Sequence, residues 1–91
     1  MNSYERRKRI LEQAWLGDAV LTLYVRQQIL AREGRIDQDQ AMHSTSNRFL
    51  ARFGEPSEVE AILGRLYQEK GLQAAFAYIE EQLEPSFPKS S

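Results

Sequence analysis

The most apolar segment of this chain reads Trp15-Leu16-Gly17-Asp18-Ala19-Val20-Leu21-Thr22-Leu23-Tyr24-Val25. Asp18 is the only carboxylate within it. Burying a charged group in apolar surroundings is costly unless the group is paired, protonated or bound to a cation. If the segment belongs to one continuous helix, Asp18 shares a face with apolar side chains, and we expect a buried functional acid. Alternatively, Gly17 and Asp18 form a loop and an N-cap in front of the helix.

Helical periodicity continues outward from this segment and predicts an all-α fold of about four to five helices. No stretch shows the sustained alternation of a β-strand. A helix over residues 15–32 is apolar on almost every side, which is typical of a central buried helix. It either continues a helix over residues 3–13 or follows it. Gly34 and Gly71 mark helix ends. The other predicted helices cover residues 37–52 (with Asp37 or Asp39 as the N-cap), 57–70 and 72–83.

The composition is that of one small globular domain. The chain has 91 residues, 42% hydrophobic and 27% charged, with no cysteine, which excludes disulfides and thiolate metal sites. No apolar run approaches the ~18 residues of a membrane span, and the basic start lacks the apolar core of a secretory signal. We therefore expect a cytoplasmic protein with no membrane partner. The predicted domain covers residues 1–84, and residues 85–91 form a flexible tail. So small a core is marginal, and dimerisation would help.

Charge is nearly balanced, with twelve Lys and Arg residues against thirteen Asp and Glu residues. The total therefore does not indicate a nucleic-acid partner. Its distribution is uneven, because Arg6, Arg7, Lys8 and Arg9 form a basic cluster near the start. This cluster is either a solvated helix face or a patch that contacts phosphates.

Glu60 is the second acid next to an apolar helical run, Ala61-Ile62-Leu63-Gly64-Arg65-Leu66-Tyr67. Two carboxylates on two core helices suggest a shared metal site. The alternative is structural, since Ser57-x-x-Glu60 fits a capping box, in which the glutamate reaches back to the N-cap amide.

His43 is the only histidine, and a lone histidine is more often structural or exposed than catalytic. It has no cysteine or second histidine with which to form a zinc site. Ser44, Thr45 and Ser46 beside it lack the glycines of a serine-hydrolase motif, and no glycine-rich phosphate loop is present. The aromatic residues fall mostly on apolar stripes, so we expect them in the core: Trp15, Tyr24, Phe49, Tyr67, Phe76 and Tyr78.

Three blocks of the sequence resemble the ribonuclease III catalytic domain. The first runs from Ile10 to Arg26, and its Leu16-Gly17-Asp18-Ala19-Val20-Leu21 core is similar to the signature helix of that family. Met42-His43 and Ser46-Asn47-Arg48 resemble the middle of the domain. Val59-Glu60-Ala61-Ile62-Leu63-Gly64-Arg65-Leu66-Tyr67, followed by Gly71-Leu72, resembles the second acidic motif. The blocks occur in the order of the family and cover roughly two thirds of the chain.

The resemblance is strongest to the mini-ribonuclease III branch, whose members have the catalytic domain alone. It implies an all-α, two-fold homodimer that hydrolyses double-stranded or structured RNA and not DNA, with ribosomal RNA precursors as substrates by analogy. It places Asp18 and Glu60 at the catalytic and metal-binding positions, where oxygen ligands would hold Mg²⁺ or Mn²⁺. It also implies RNA contacts for His43, Asn47 and Arg48.

Departures from the family keep a second hypothesis open. Ala14 and Ser57 stand where the larger enzymes carry further acids, and Phe53-Gly54-Glu55-Pro56 replaces about two helices of the shortened middle. The chain is either a minimal metal-dependent endoribonuclease or an inactive module of the same fold, used for dimerisation or for binding RNA or a ribonucleoprotein. Acids that diverge in the fold would favour a third alternative, a helical interaction domain with chance similarity.

Overall fold

The apolar segment lies in the middle of one continuous helix, α1, which spans Ser3–Glu33. Asn2 caps its start, where the side-chain oxygen accepts a hydrogen bond from the Glu5 N–H at 2.8 Å. Gly34 ends the helix in the left-handed conformation (φ 67°), and its N–H donates to the Leu30 carbonyl, as the sequence predicts. Asp18 is therefore in mid-helix, and the interpretation of Gly17 and Asp18 as a loop and N-cap is wrong.

The rest of the chain is also helical. A computed structural model describes residues 2–88, which contain no β-strand, so the predicted all-α fold is confirmed. The elements after α1 are α2 (Gln38–Thr45), α3 (Asn47–Leu50), α4 (Pro56–Lys70) and α5 (Leu72–Tyr78), which continues into a π-helical turn (Ile79–Leu83) and a 3₁₀ turn (Glu84–Ser86). Within this part of the chain, no helix combines the length and the apolar character needed to cross a bilayer.

Two helix starts differ from the sequence-based expectation. Asp37 caps α2 as predicted, but the expected helix over residues 37–52 breaks at Ser46. Ser46 has an extended backbone, and its hydroxyl accepts a hydrogen bond from the Phe49 N–H at 3.1 Å, which starts a new helix. The α4 helix is capped by Glu55, whose carboxylate accepts from the Glu58 N–H at 3.0 Å. The capping box of Ser57 and Glu60 is therefore wrong, and the Glu60 side chain is not committed to a cap.

The core lies between one side of α1 and the helices α4 and α5. Its largest fully buried apolar side chains are Leu21, Leu63, Ile79 and Leu83, together with Leu50 from α3. Within residues 2–88 nothing covers the opposite side of α1, so the prediction that this helix is buried all round is wrong. Trp15, at 80% exposure, lies on that side, and Tyr67 on α4 is also exposed, contrary to the predicted core positions.

The C-terminal segment is attached to the core by aromatic side chains. The hydroxyl of the buried Tyr24 donates a hydrogen bond to Glu84 Oε2. Burial, together with the adjacent Glu84 carboxylate, raises the pKa of the Tyr24 phenol well above its usual range. Phe87 packs on Phe49 with ring centroids 5.4 Å apart. Residues 89–91 of the predicted tail lie outside the described part of the chain.

Candidate functional site

The α1 and α4 helices touch backbone to backbone through two glycines. A Cβ atom built on Gly17 would lie 1.7 Å from the Glu60 carbonyl oxygen, and one on Gly64 would lie 1.9 Å from the Gln13 carbonyl oxygen. Real Cβ atoms essentially never approach so closely, so only glycine fits at either position. Since Gln13 meets Gly64 and Gly17 meets Glu60, the two helices run antiparallel. This contact fixes how the neighbouring residues of α1 and α4 lie relative to each other.

Asp18 and Glu60 are brought together by this glycine contact. Asp18 follows Gly17 on α1, and its carboxylate is within hydrogen-bonding reach of Glu60 on α4. The expectation that Asp18 is buried is wrong, because its side of α1 faces solvent beside α4 rather than the core. Glu60 is half-buried between the helices. The two acids that the sequence singled out therefore converge within one chain.

Electrostatics make this pair unusual. Burial of the Glu60 carboxyl raises its pKa to about 8, since charge is disfavoured away from water. A hydrogen bond with Asp18 and the negative charge of Asp18 act in the same direction, and the charge of Glu55 adds to them. At neutral pH the Glu60 carboxyl is therefore largely protonated. A cation bound between Glu60 and Asp18 would replace that proton.

The pair fits a hard divalent cation in its chemistry. Mg²⁺ is commonly held by one or two carboxylates, with water and substrate phosphates as the other ligands. Among residues 2–88, no set of three or more acidic, histidine or cysteine side chains converges on a single point suited to a metal. The chain would thus supply two carboxylates, from Asp18 and Glu60, and leave the remaining coordination positions to other ligands.

A second group of polar side chains lies where α2 meets α3. His43 and Arg48, both predicted RNA-contacting residues, line a cavity of about 240 Å³ together with Ser46, Phe49, Arg52 and Pro88. Asn47, the third predicted contact, is exposed at the start of α3 but does not line this cavity. Arg52 was not predicted as a contact residue, although its i+4 spacing from Arg48 is visible in the sequence.

The basic cluster at the start of α1 is solvent-exposed at every position, Arg6 to Arg9. Four consecutive residues point in four directions around a helix. The four charges are therefore spread around the helix and do not form one flat patch. Both interpretations from the sequence, a solvated surface and a phosphate contact, are compatible with this placement.

Comparison of the chain with models of protein families, with curated proteins and with solved structures finds no match. The resemblance to ribonuclease III therefore rests on the sequence blocks alone.

Proposed function

We propose that this protein is a divalent-metal-dependent endoribonuclease that acts on double-stranded or structured RNA, with Mg²⁺ or Mn²⁺ held by Asp18 and Glu60. The single observation that carries the proposal is the convergence of these two acids at a contact that only glycine permits. A half-buried carboxyl with a raised pKa, placed beside a second acid by the backbone contact of two long helices, is typical of a functional site. Ribosomal RNA precursors are the substrate class suggested by the sequence resemblance.

The residues of the proposed site have different parts in the hydrolysis of RNA. Exposed Asp18 and half-buried Glu60, the latter without its proton, would hold the cation where a phosphodiester can reach it from solvent. A divalent cation held there supplies Lewis acidity towards the phosphate and an acidified water. Glu55 keeps the local field negative and so favours the cation. RNA contacts from His43, Asn47 and Arg48 would orient the duplex through its phosphates.

The second part of the proposal is a two-fold dimer through the uncovered side of α1. Apolar side chains lie exposed there at helical spacing: Leu11, Trp15, Leu23 and Leu30. Exposed Ala19 lies at the centre, with Trp15 and Leu23 each four residues away. In an antiparallel pairing about Ala19, Trp15 packs on the partner's Leu23 and the small alanines allow close approach.

Charge supports the same pairing. Glu12 and Arg26 are exposed on this side of α1, and each is seven residues from Ala19. An antiparallel two-fold arrangement about Ala19 therefore places Glu12 against the partner's Arg26, twice. A dimer of this kind would present two acid pairs, one for each strand of a duplex.

Dimerisation can be tested with one substitution at the proposed axis. Ala19→Arg would place an arginine against its own copy, so we expect a monomer by light scattering at concentrations where the unsubstituted protein is a dimer. The only tryptophan, Trp15, should then keep the fluorescence of an exposed indole. Ala31→Arg is the matched control, because Ala31 is exposed on another side of α1. Equal masses for both variants would exclude this interface.

The alternative function is an inactive module that dimerises or binds RNA or a ribonucleoprotein. The observation that favours it is the exposed apolar side of α1, which is suited to a partner whether or not the acids are active. Unlike the enzyme, such a module needs no metal at Asp18 and Glu60.

Cleavage of a labelled RNA duplex separates the two functions. We expect the protein to cut it in Mg²⁺ or Mn²⁺, and Asp18→Asn and Glu60→Gln each to abolish cleavage. Glu69→Gln, an exposed acid on the same helix as Glu60, is the control and should retain full activity. If duplex RNA stays intact while the protein is folded and dimeric, the module is the correct function.

A further inference from the structure

Among residues 2–88, the cavity between α2, α3 and the C-terminal segment is lined by nitrogen donors and by no carboxylate. Its polar lining consists of the imidazole of His43, the guanidinium groups of Arg48 and Arg52, and the Ser46 hydroxyl. Phe49 and Pro88 complete the wall. Two arginines remain charged at all physiological pH values, so the cavity is positive although the whole chain has a formal net charge of −1.

Local contacts hold these donors in place. The Ser46 hydroxyl donates to the His43 carbonyl at 3.3 Å and accepts from the Phe49 N–H at 3.1 Å. These two bonds fix the turn that sets His43, on α2, beside Arg48, on α3. The Arg52 guanidinium carbon lies 5.9 Å from the centroid of the Phe49 ring, within the range of a cation–π contact.

The aromatic support of Arg52 is itself anchored in the core. Phe49 is buried, and Phe53 and Phe87 pack on its ring with centroids 5.2 and 5.4 Å away. Arginine that is held over a ring loses less side-chain freedom when it binds an anion. The cavity is therefore partly pre-organised.

The size and donors of the cavity select the ligand. About 240 Å³ is smaller than the pockets that enclose whole small molecules. It suits a single compact anion whose oxygens match guanidinium N–H groups, which is the geometry of a phosphate. The two non-bridging oxygens of a backbone phosphodiester can each accept more than one N–H group, so one phosphate can meet both arginines and the histidine together.

We propose that His43, Arg48 and Arg52 form a binding site for one phosphate group of an RNA backbone. The identity of the RNA as the source rests on the proposed function, whereas the phosphate chemistry rests on the cavity alone. This proposal adds Arg52 and Ser46 to the RNA-binding surface. Asn47 lies outside the cavity. Because the acid pair at Asp18 and Glu60 repels phosphates, a cationic site elsewhere on the surface would offset that repulsion.

The first arm of the test uses inorganic phosphate and the single imidazole as a probe. Because His43 is the only histidine, its ring C–H signals in a proton NMR spectrum need no assignment. We expect them to shift saturably with phosphate at constant ionic strength and not with chloride. Arg48→Gln and Arg52→Gln should each weaken phosphate binding about tenfold, as loss of a charge-assisted hydrogen bond does. Arg35→Gln, an exposed arginine in the α1–α2 connection, is the control.

The second arm measures duplex RNA binding without divalent metal, so that the RNA stays intact. The measured quantity is the slope of log affinity against log salt concentration. Arg48→Gln and Arg52→Gln should lower the size of this slope by about one, the contribution of one phosphate contact, and Arg35→Gln should leave it unchanged. An absent or unsaturable phosphate response overturns the site. A phosphate response with unchanged RNA affinity overturns the RNA assignment and indicates a small phosphate compound. Intact RNA in the cleavage assay with both arms positive would reject only the catalytic function.

Discussion

The acid pair and the cationic cavity are built in opposite ways. Asp18 and Glu60 belong to the two longest helices and are fixed by a backbone contact at Gly17 and Gly64. The cavity lies where short helices meet a C-terminal segment held by side-chain contacts. In the first arrangement, the close contact at Gly17 and Gly64 holds two acids side by side. The second arranges favourable donors on a part of the fold that is more easily loosened.

The two regions also differ in the charge they attract. The half-buried Glu60 carboxyl, whose pKa is raised to about 8, lies beside Asp18 in surroundings that favour a cation. The cavity lined by two arginines and a histidine favours an anion. Hydrolysis of a phosphodiester uses both, since the cation acts at the reacting phosphate and cationic side chains position the neighbouring ones.

The largest effect should come from breaking the contact at Gly17 and Gly64. Gly17→Ala places a methyl group against the Glu60 carbonyl, so we expect a loss of at least about 3 kcal/mol in the free energy of unfolding, measured by urea denaturation. In an unobstructed helix the same change stabilises by roughly 0.5–1 kcal/mol, so the sign alone is diagnostic. Gly34→Ala, with no atom near its Cβ position, should cost only the roughly 1–2 kcal/mol of a left-handed residue. Equal losses would mean that the helices are not in glycine contact.

An intermediate effect should appear when metal and pH act on the acid pair. With its pKa raised from 4.5 to about 8, neutral Glu60 contributes stability that is complete below pH 4.5 and is lost as the pH rises through about 8. Without metal, the melting temperature of the unsubstituted protein should therefore fall over this range relative to that of Glu60→Gln.

Metal should reverse that loss. Mg²⁺ or Mn²⁺ at a hundredfold excess over its dissociation constant adds about 2.7 kcal/mol, which raises the melting temperature by roughly 10–20 °C. The rise should be large at about pH 9, where Glu60 is ionised, and small at about pH 5, where the cation must displace a proton. Glu60→Gln should show no rise at either pH. A melting temperature that does not change in saturating metal at high pH would contradict the metal site.

The smallest effect should come from loosening the C-terminal segment. Tyr24→Phe removes the hydrogen bond to Glu84, and we expect a loss of about 1.5 kcal/mol in unfolding free energy. Phosphate binding should weaken because Pro88 lines the cavity, whereas RNA cleavage at the acid pair should not change. Tyr67→Phe, at an exposed position, should alter stability by less than about 0.5 kcal/mol. If cleavage and phosphate binding fell together, the two regions would not be independent.

Much of the secondary structure could be predicted from local chemistry. Gly34, Gly71 and Asp37 end or start helices as expected, because caps depend on a few neighbouring residues. The break at Ser46 and the cap at Glu55 could not be predicted with the same security. Several nearby polar residues could cap in each case, and tertiary packing selects between them.

The exposure of Asp18 and Trp15 could not be predicted for a different reason. The segment around them is apolar on nearly every side, so its sequence does not indicate which side receives α4 and α5. Likewise, Gly17 and Gly64 are isolated glycines that only the structure shows to be reciprocal contacts. The sequence indicated only part of the cavity lined by His43, Arg48 and Arg52. Arg48 and Arg52 have helical spacing, but nothing in the sequence adds His43 to them.

The sequence by itself determined that this chain is helical, where most helices end, and that Asp18 and Glu60 are the acids to examine. It could do so because periodicity, caps and the cost of a charge among apolar residues are local properties. Only the tertiary structure decided that these acids meet, that one is exposed and the other half-buried, and that a cationic cavity forms apart from them. Those outcomes depend on which helix faces touch, and that is settled by the packing of residues distant in the chain.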